Sequence, residues 1–301
     1  MMSSKMAALG AAVCCIVILA SSESSAAAVS WEKGEEWVYS LWTELEVPVL
    51  GTLNLTGSLT YELSRQTTWN VNGTDFEVNV MDVSGDAMAL RSYYGLTLTI
   101  AAVFGGELVV LRDSLAVVSD NLRMWANATF GEEPFAYTYS YGNEITTAYS
   151  PPLLSGFVPG TTLPGSQWNE TIAVTSGSRE WANDSAPTYM NSTSVINYTC
   201  TAQNGVAETN AGTYDTLLII ESSAEMDTRV ESHYSEELEN FVLINRFSPA
   251  DATQPYMKLS LESHSTPSGL MLYLIVGVAA AAVAVVAVVI MLRSRRSAKQ
   301  R

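Results

Sequence analysis

The sequence predicts an all-β, antiparallel body followed by one C-terminal transmembrane α-helix. Three observations carry that prediction. Apolar and polar residues alternate with period two over much of the chain, as half-buried strands require. No long stretch before residue 270 shows a convincing 3.6-residue period. Leu270 to Leu292 is then a 23-residue run without a charge, which at 1.5 Å per residue is enough to cross the ~30 Å hydrocarbon core of a bilayer.

Taken in order, residues 1–28 read as a secretory signal peptide. Lys5 supplies the positive n-region, Ala7 to Ala20 the apolar core, and Ala26-Ala27-Ala28 a small-residue cleavage site. Residues 29–150 form an N-terminal β half. Its clearest strand sets Leu53, Leu55, Gly57, Leu59, Tyr61 and Leu63 on one face, with Asn54, Thr56, Ser58, Thr60, Glu62 and Ser64 on the other. Phe76-Val78-Val80 and Leu96-Leu98-Ile100 alternate in the same way. Asn72-Gly73 between two such runs is a two-residue hairpin turn. Residues 151–164 carry Pro151, Pro152, Pro159 and Pro164 with Gly156 and Gly160, the composition of a linker. Residues 165–266 form a C-terminal β half, in which Ile196-Tyr198-Cys200 and Met257-Leu259-Leu261 point inward. Cys200 is then a small buried hydrophobe. A short helix within 110–125 or 231–240 is left open. Residues 270–292 are the transmembrane helix and 293–301 the basic tail. Arg293, Arg295 and Arg296 keep that tail cytoplasmic, so the expected protein is a single-pass cell-membrane protein with its N-terminus outside.

An internal repeat runs through the β body. Gly34-Glu35-Glu36-Trp37 recurs as Gly165-Ser166-Gln167-Trp168, and Gly73-Thr74 recurs as Gly212-Thr213. Tyr94 and Tyr234 follow, giving offsets of 131, 139 and 140 residues. The constant order points to a duplication with its seam in 151–164. The same residues carry a resemblance. Trp31, Gly34, Trp37 and Tyr39 resemble the opening of exported archaeal cell-surface β proteins. Ala211-Gly212-Thr213-Tyr214-Asp215 with His233-Tyr234-Ser235-Glu236-Glu237 and Asn240-Phe241-Val242 is similar to half-barrel proteins of the LolA-like group of lipoprotein carriers. That resemblance covers mainly 165–262. It implies a curved antiparallel sheet or half-barrel, duplicated here, with a concave face that shelters an apolar ligand.

Charge and motifs narrow the function. The net charge is −16, from 15 basic and 31 acidic side chains. Residues 29–267 carry −21 of it, and a body so short of cations is no nucleic-acid binder. Only Cys200 remains once a signal is removed, so no intrachain disulfide forms. Asn-x-Ser/Thr occurs at Asn54, Asn72, Asn127, Asn169, Asn183, Asn191 and Asn197, where residue frequencies alone give about three. All seven lie in the outer region as glycosylation sites.

No nucleophile, metal or phosphate-loop motif occurs, so no catalytic residue, metal or cofactor is assigned. Glu231 with His233, Asp82 with Asp86, and Glu132 with Glu133 are the acid groupings, each read as solvated surface. His264 reads as part of the stalk before Pro267. Trp31, Trp37 and Trp42 read as core fillers rather than as a carbohydrate patch. The expectation is a non-enzymatic, N-glycosylated surface protein whose β module binds an apolar ligand or a partner protein. Its partners would be the bilayer through 270–292 and a ligand or envelope protein. The alternative is a structural, acidic, glycan-bearing envelope component, and the last-ranked reading is a carboxylate-based extracellular hydrolase.

Overall fold

A period-two pattern with one apolar face must bury that face, and here it does so by closing the sheet on itself. The computed structural model describes residues 30–47, 51–71, 73–93, 95–131, 136–183, 185–223, 228–248 and 251–267. Their strands are β1 (Glu36–Val47), β2 (Gly51–Val71), β3 (Thr74–Tyr93), β4 (Leu96–Leu111), β5 (Val117–Phe130), β6 (Tyr137–Leu153), β7 (Gln167–Ala182), β8 (Thr188–Thr209), β9 (Gly212–Ser223), β10 (Thr228–Ser235), β11 (Asn240–Ser248) and β12 (Asp251–Ser265). Each pairs with its neighbours in sequence, and β12 pairs with β1, making a closed barrel. Closure removes the lateral edges that an open sheet exposes. The expected open curved sheet or half-barrel is therefore corrected to a closed 12-strand antiparallel barrel. The expectation failed because alternation marks which face is buried, and a half-barrel and a whole one bury the same face.

The inward face is apolar. Leu53, Leu55, Leu59, Tyr61 and Leu63 are buried on β2, while Asn54, Thr56 and Glu62 between them are exposed. Lipid-facing barrels show the reverse, an apolar outer band. Met257, Leu259 and Leu261 on β12 join the same core, as does Cys200. A smaller cluster of Val78, Val80, Val109, Leu111, Ala116 and Val118 lies apart from it. Across the closing seam, Ser40 donates to the Ser260 carbonyl at 3.1 Å and Thr43 to the Tyr256 carbonyl at 3.2 Å. At β2–β3 the strands approach so closely that a Cβ on Gly57 would stand 1.8 Å from the Asp86 carbonyl oxygen. The predicted hairpin joins β2 and β3: Val71 pairs with Thr74, and Gly73 has φ 85°. Residues 117–130 and 228–235 are strands, so neither stretch left open for a short helix forms one there.

Six strands precede residue 154 and six follow residue 166. β6 and β7 pair from Tyr141↔Ala182 to Ser150↔Ala173, so the stretches 29–150 and 165–266 share one sheet. The Pro/Gly segment between them does not hang free. Leu154 and Phe157 are fully buried in the main core, where Phe157 meets Tyr234 at 5.2 Å and Phe241 at 6.1 Å between ring centroids. Because the strand number is even and every pair is antiparallel, β1 begins and β12 ends at the same end of the barrel. There His264, expected in a stalk, belongs to β12. Its ring stacks on Trp37 at 5.3 Å and its Nε2 lies 2.7 Å from Glu35 Oε1. Among the described residues no helix is long and apolar enough to cross a membrane. The signal peptide expected over 1–28, the transmembrane helix expected over 270–292, the tail expected over 293–301, and Asn72, Tyr94, Glu132 and Glu133 lie outside the described residues.

Candidate functional site

A cavity of about 30 Å³ lies among Trp31, Tyr39, Tyr61, Met81, Phe241 and Leu259. That holds about two water molecules. Trp31 and Trp37 are buried in the core beside it, as expected, with ring centroids 4.6 Å apart, and Trp42 is half-buried.

Several acids point inward, and sequence reading missed all of them. Glu170 accepts the Gly156 N–H at 2.6 Å and the Trp168 indole N–H at 2.8 Å, tying the 154–166 segment to β7. Burial raises its pKa, opposed by those bonds and by others from Ser155 and Leu154. Glu221 pairs across strands with Cys200 on β8 and Val230 on β10. Burial first and the Glu170 charge second push Glu221 up to about 8, and the Arg246 guanidinium pulls it back. Asp120 accepts the Tyr149 hydroxyl at 2.9 Å, and burial lifts it to about 7 against that bond and one from Thr147. The Cys200 thiol is pushed up by burial and the two neighbouring glutamates, so it is no nucleophile at neutral pH. The described residues bring no three metal-binding side chains together.

The acid groupings expected at the surface do not converge either, and Glu231 with His233 is not the solvated edge expected. Glu231 pairs with Arg229, whereas His233 is buried and its Nδ1 lies 3.0 Å from Thr216 Oγ1. Burial lowers the His233 pKa, keeping the ring neutral. Asp82 and Asp86 are exposed on β3.

The outer face is where the predicted site residues gather. Asn54, Asn127, Asn169, Asn183, Asn191 and Asn197 are all exposed. Five stand on strands, and Asn183 occupies the β7–β8 turn with φ 47°, a left-handed conformation that asparagine tolerates. Two sequons face each other across β7 and β8, since Asn169 pairs with Thr199 and Thr171 with Asn197. The Thr171 hydroxyl donates to Asn197 Oδ1 at 2.8 Å. Ser140 links two more. Its N–H donates to Asn183 Oδ1 at 2.9 Å and its hydroxyl to Asn127 Oδ1 at 2.7 Å. Both carboxamides are thus held by their oxygens.

Around these asparagines lies an aromatic cluster that alternation alone did not reveal. Trp125 and Trp181 sit on the outer face of β5 and β7 with ring centroids 6.2 Å apart. Gly142 makes room for the second ring, since a Cβ there would lie 2.1 Å from Trp181 Cε2. The Arg179 guanidinium stands 5.1 Å from the Trp181 centroid and 5.9 Å from that of Tyr189. Arg123 and Arg179 both approach Glu144, at 3.0 and 3.8 Å.

No family model matches the chain, and neither a curated protein nor a solved structure matches it.

Proposed function

We propose that this chain is a non-enzymatic, N-glycosylated, single-pass cell-surface protein whose barrel is an acidic, glycan-bearing component of the cell envelope. The observation that carries the reading is the position of the sequons. Every described acceptor asparagine is exposed on the outside, while the inward face is filled by its own side chains. Glycans are bulky and hydrophilic, so only such positions accept them in a folded barrel. The charge of −21 over 29–267 adds repulsion that keeps a β-rich surface from associating. An apolar ligand held inside gains no support from a cavity of about 30 Å³. The buried acids Asp120 and Glu221 have no exposed position from which to meet a substrate.

Binding of a partner protein is the second reading, and one observation favours it. The β8–β9 ladder begins at Thr199↔Ser222, so among the described residues Thr188–Ile196 forms its strand ladder with β7 alone. That half of β8 offers unpaired backbone groups for strand addition.

Glycopeptide mapping of the full-length protein, with crosslinking on intact cells, tests both. Sugar on the acceptor asparagines and regular self-contacts support the envelope role. Bare asparagines would sink it. Contacts confined to one foreign protein through 188–196 would favour the second reading.

A further inference from the structure

Three of the six described sequons share a feature that the other three lack. Trp125, Trp181 and Tyr189 stand two residues before Asn127, Asn183 and Asn191. Thr52, Gln167 and Val195 stand two before Asn54, Asn169 and Asn197. Residues two apart on a strand share a face and lie about 7 Å apart. Trp125 and Tyr189 therefore share a face with Asn127 and Asn191, while Asn183, in the turn just past β7, is tied to Asn127 through Ser140. The three rings are also neighbours of one another, joined by the 6.2 Å Trp125–Trp181 contact and by Arg179 between Trp181 and Tyr189.

We propose that Trp125, Trp181 and Tyr189 form a bed on which the first sugars of the glycans at Asn127, Asn183 and Asn191 stack. The proposal rests on the glycosylation reading above and adds a ligand surface to it. Its physical basis is the electron-rich face of an aromatic ring, which attracts the polarised C–H groups on one side of a pyranose while burying apolar area. Trp125 is 45% and Tyr189 68% exposed, so large apolar rings face water until something covers them. The Ser140 hydrogen bonds hold the carboxamide oxygens of Asn127 and Asn183, which leaves both Nδ2 atoms for the glycosidic linkage. Gly142 lets Trp181 lie against β6, where its position is set before any sugar arrives.

The test is hydroxyl-radical footprinting, read by mass spectrometry, of the full-length protein from an N-glycosylating host. Wild type is compared with Asn127→Gln, Asn183→Gln and Asn191→Gln. A second series, Thr129→Ala, Ser185→Ala and Thr193→Ala, removes each sequon but keeps its asparagine. Each loss of a glycan should raise oxidation of its own aromatic partner several-fold. Tyr137, which is 62% exposed and two residues from no sequon asparagine, should not change. Occupied sites with unchanged oxidation would overturn the bed and leave the glycosylation reading intact. Unoccupied Asn127, Asn183 and Asn191 would overturn both at these positions. Protection of the rings by added oligosaccharide, with no effect of the substitutions, would assign the bed to a free saccharide and overturn the proposal.

Discussion

Glu221 is fully inside the barrel, and the energetic consequence is a pH dependence of definite sign. Its folded pKa of about 8 lies above the ordinary value of 4.5, and Asp120 at about 7 behaves alike from 3.8. Between those unfolded and folded values the native state holds more protons than the unfolded chain. Stability must then fall as pH rises through that window, by about 1.4 kcal/mol per pH unit for each proton that the folded chain alone retains. Urea midpoints measured from pH 4.5 to 8.5 should decline, and Glu221→Gln should flatten the decline and be the more stable protein at the alkaline end. A Gln variant as steep as wild type would show that Glu221 is not what titrates. Part of this was legible. In the strand starting at Gly212-Thr213, Ile219 and Glu221 share a face, so an inward acid could be read from parity. Its companions could not, because Glu170 and Arg246 are brought there by strand pairing across β7 to β11. The exposed sequons were legible for the opposite reason, since a glycan acceptor needs only its own strand to be placed on the wet face.

At the scale of elements, the segment 154–166 shows where composition misleads. Proline and glycine disfavour a regular strand, and 154–166 has none, but Pro151 and Pro152 of the linker expected over 151–164 belong to β6. Proline and glycine also say nothing about what the residues between them touch. Leu154 and Phe157 are buried completely, and Glu170 fixes the backbone that carries them. Phe157→Ala should therefore cost about 3–5 kcal/mol, the range for a truncated core aromatic, measured by chemical unfolding. A cost near zero would restore the free linker. The upper half of β8 makes the converse point. Thr188–Val195 is exposed at every residue, and its edge groups would recruit other chains if left bare. Asn191 lies along that edge and Asn197 just beyond its end, so their glycans would act as a steric guard. Removing both with Asn191→Gln and Asn197→Gln should increase self-association in light scattering of the glycosylated protein, while Asn54→Gln, far from the edge in strand order, should not.

For the whole molecule, the repeat detected as short motifs corresponds to a repeated backbone device. Gly34 has φ 86° and donates its N–H to the Leu63 carbonyl at 2.8 Å, and Leu63 N–H returns to the Glu35 carbonyl at 2.9 Å. Gly165 has φ 92° and donates to the Ala202 carbonyl at 2.6 Å, and Ala202 N–H returns to the Ser166 carbonyl at 2.9 Å. Gly73-Thr74 opens β3 and Gly212-Thr213 opens β9, so β1–β3 and β7–β9 follow one plan. Twelve strands then divide as six and six, and each six ends on two long edges that only the other six satisfies, at β6–β7 and at β12–β1. The sequence could disclose the repeat, because motif order is local. It could not disclose closure, because that depends on which edge meets which. A half taken alone would expose the edges of β1 and β6 and the apolar face now buried in the shared core. Residues 29–153 and 154–266, produced separately, should each be aggregated or unfolded, whereas the two produced together should form a 1:1 complex with the near-ultraviolet dichroism of the intact barrel. An isolated half that stays monomeric and folds cooperatively would mean that each six-strand set closes its own core, and the shared barrel would then not be the folding unit.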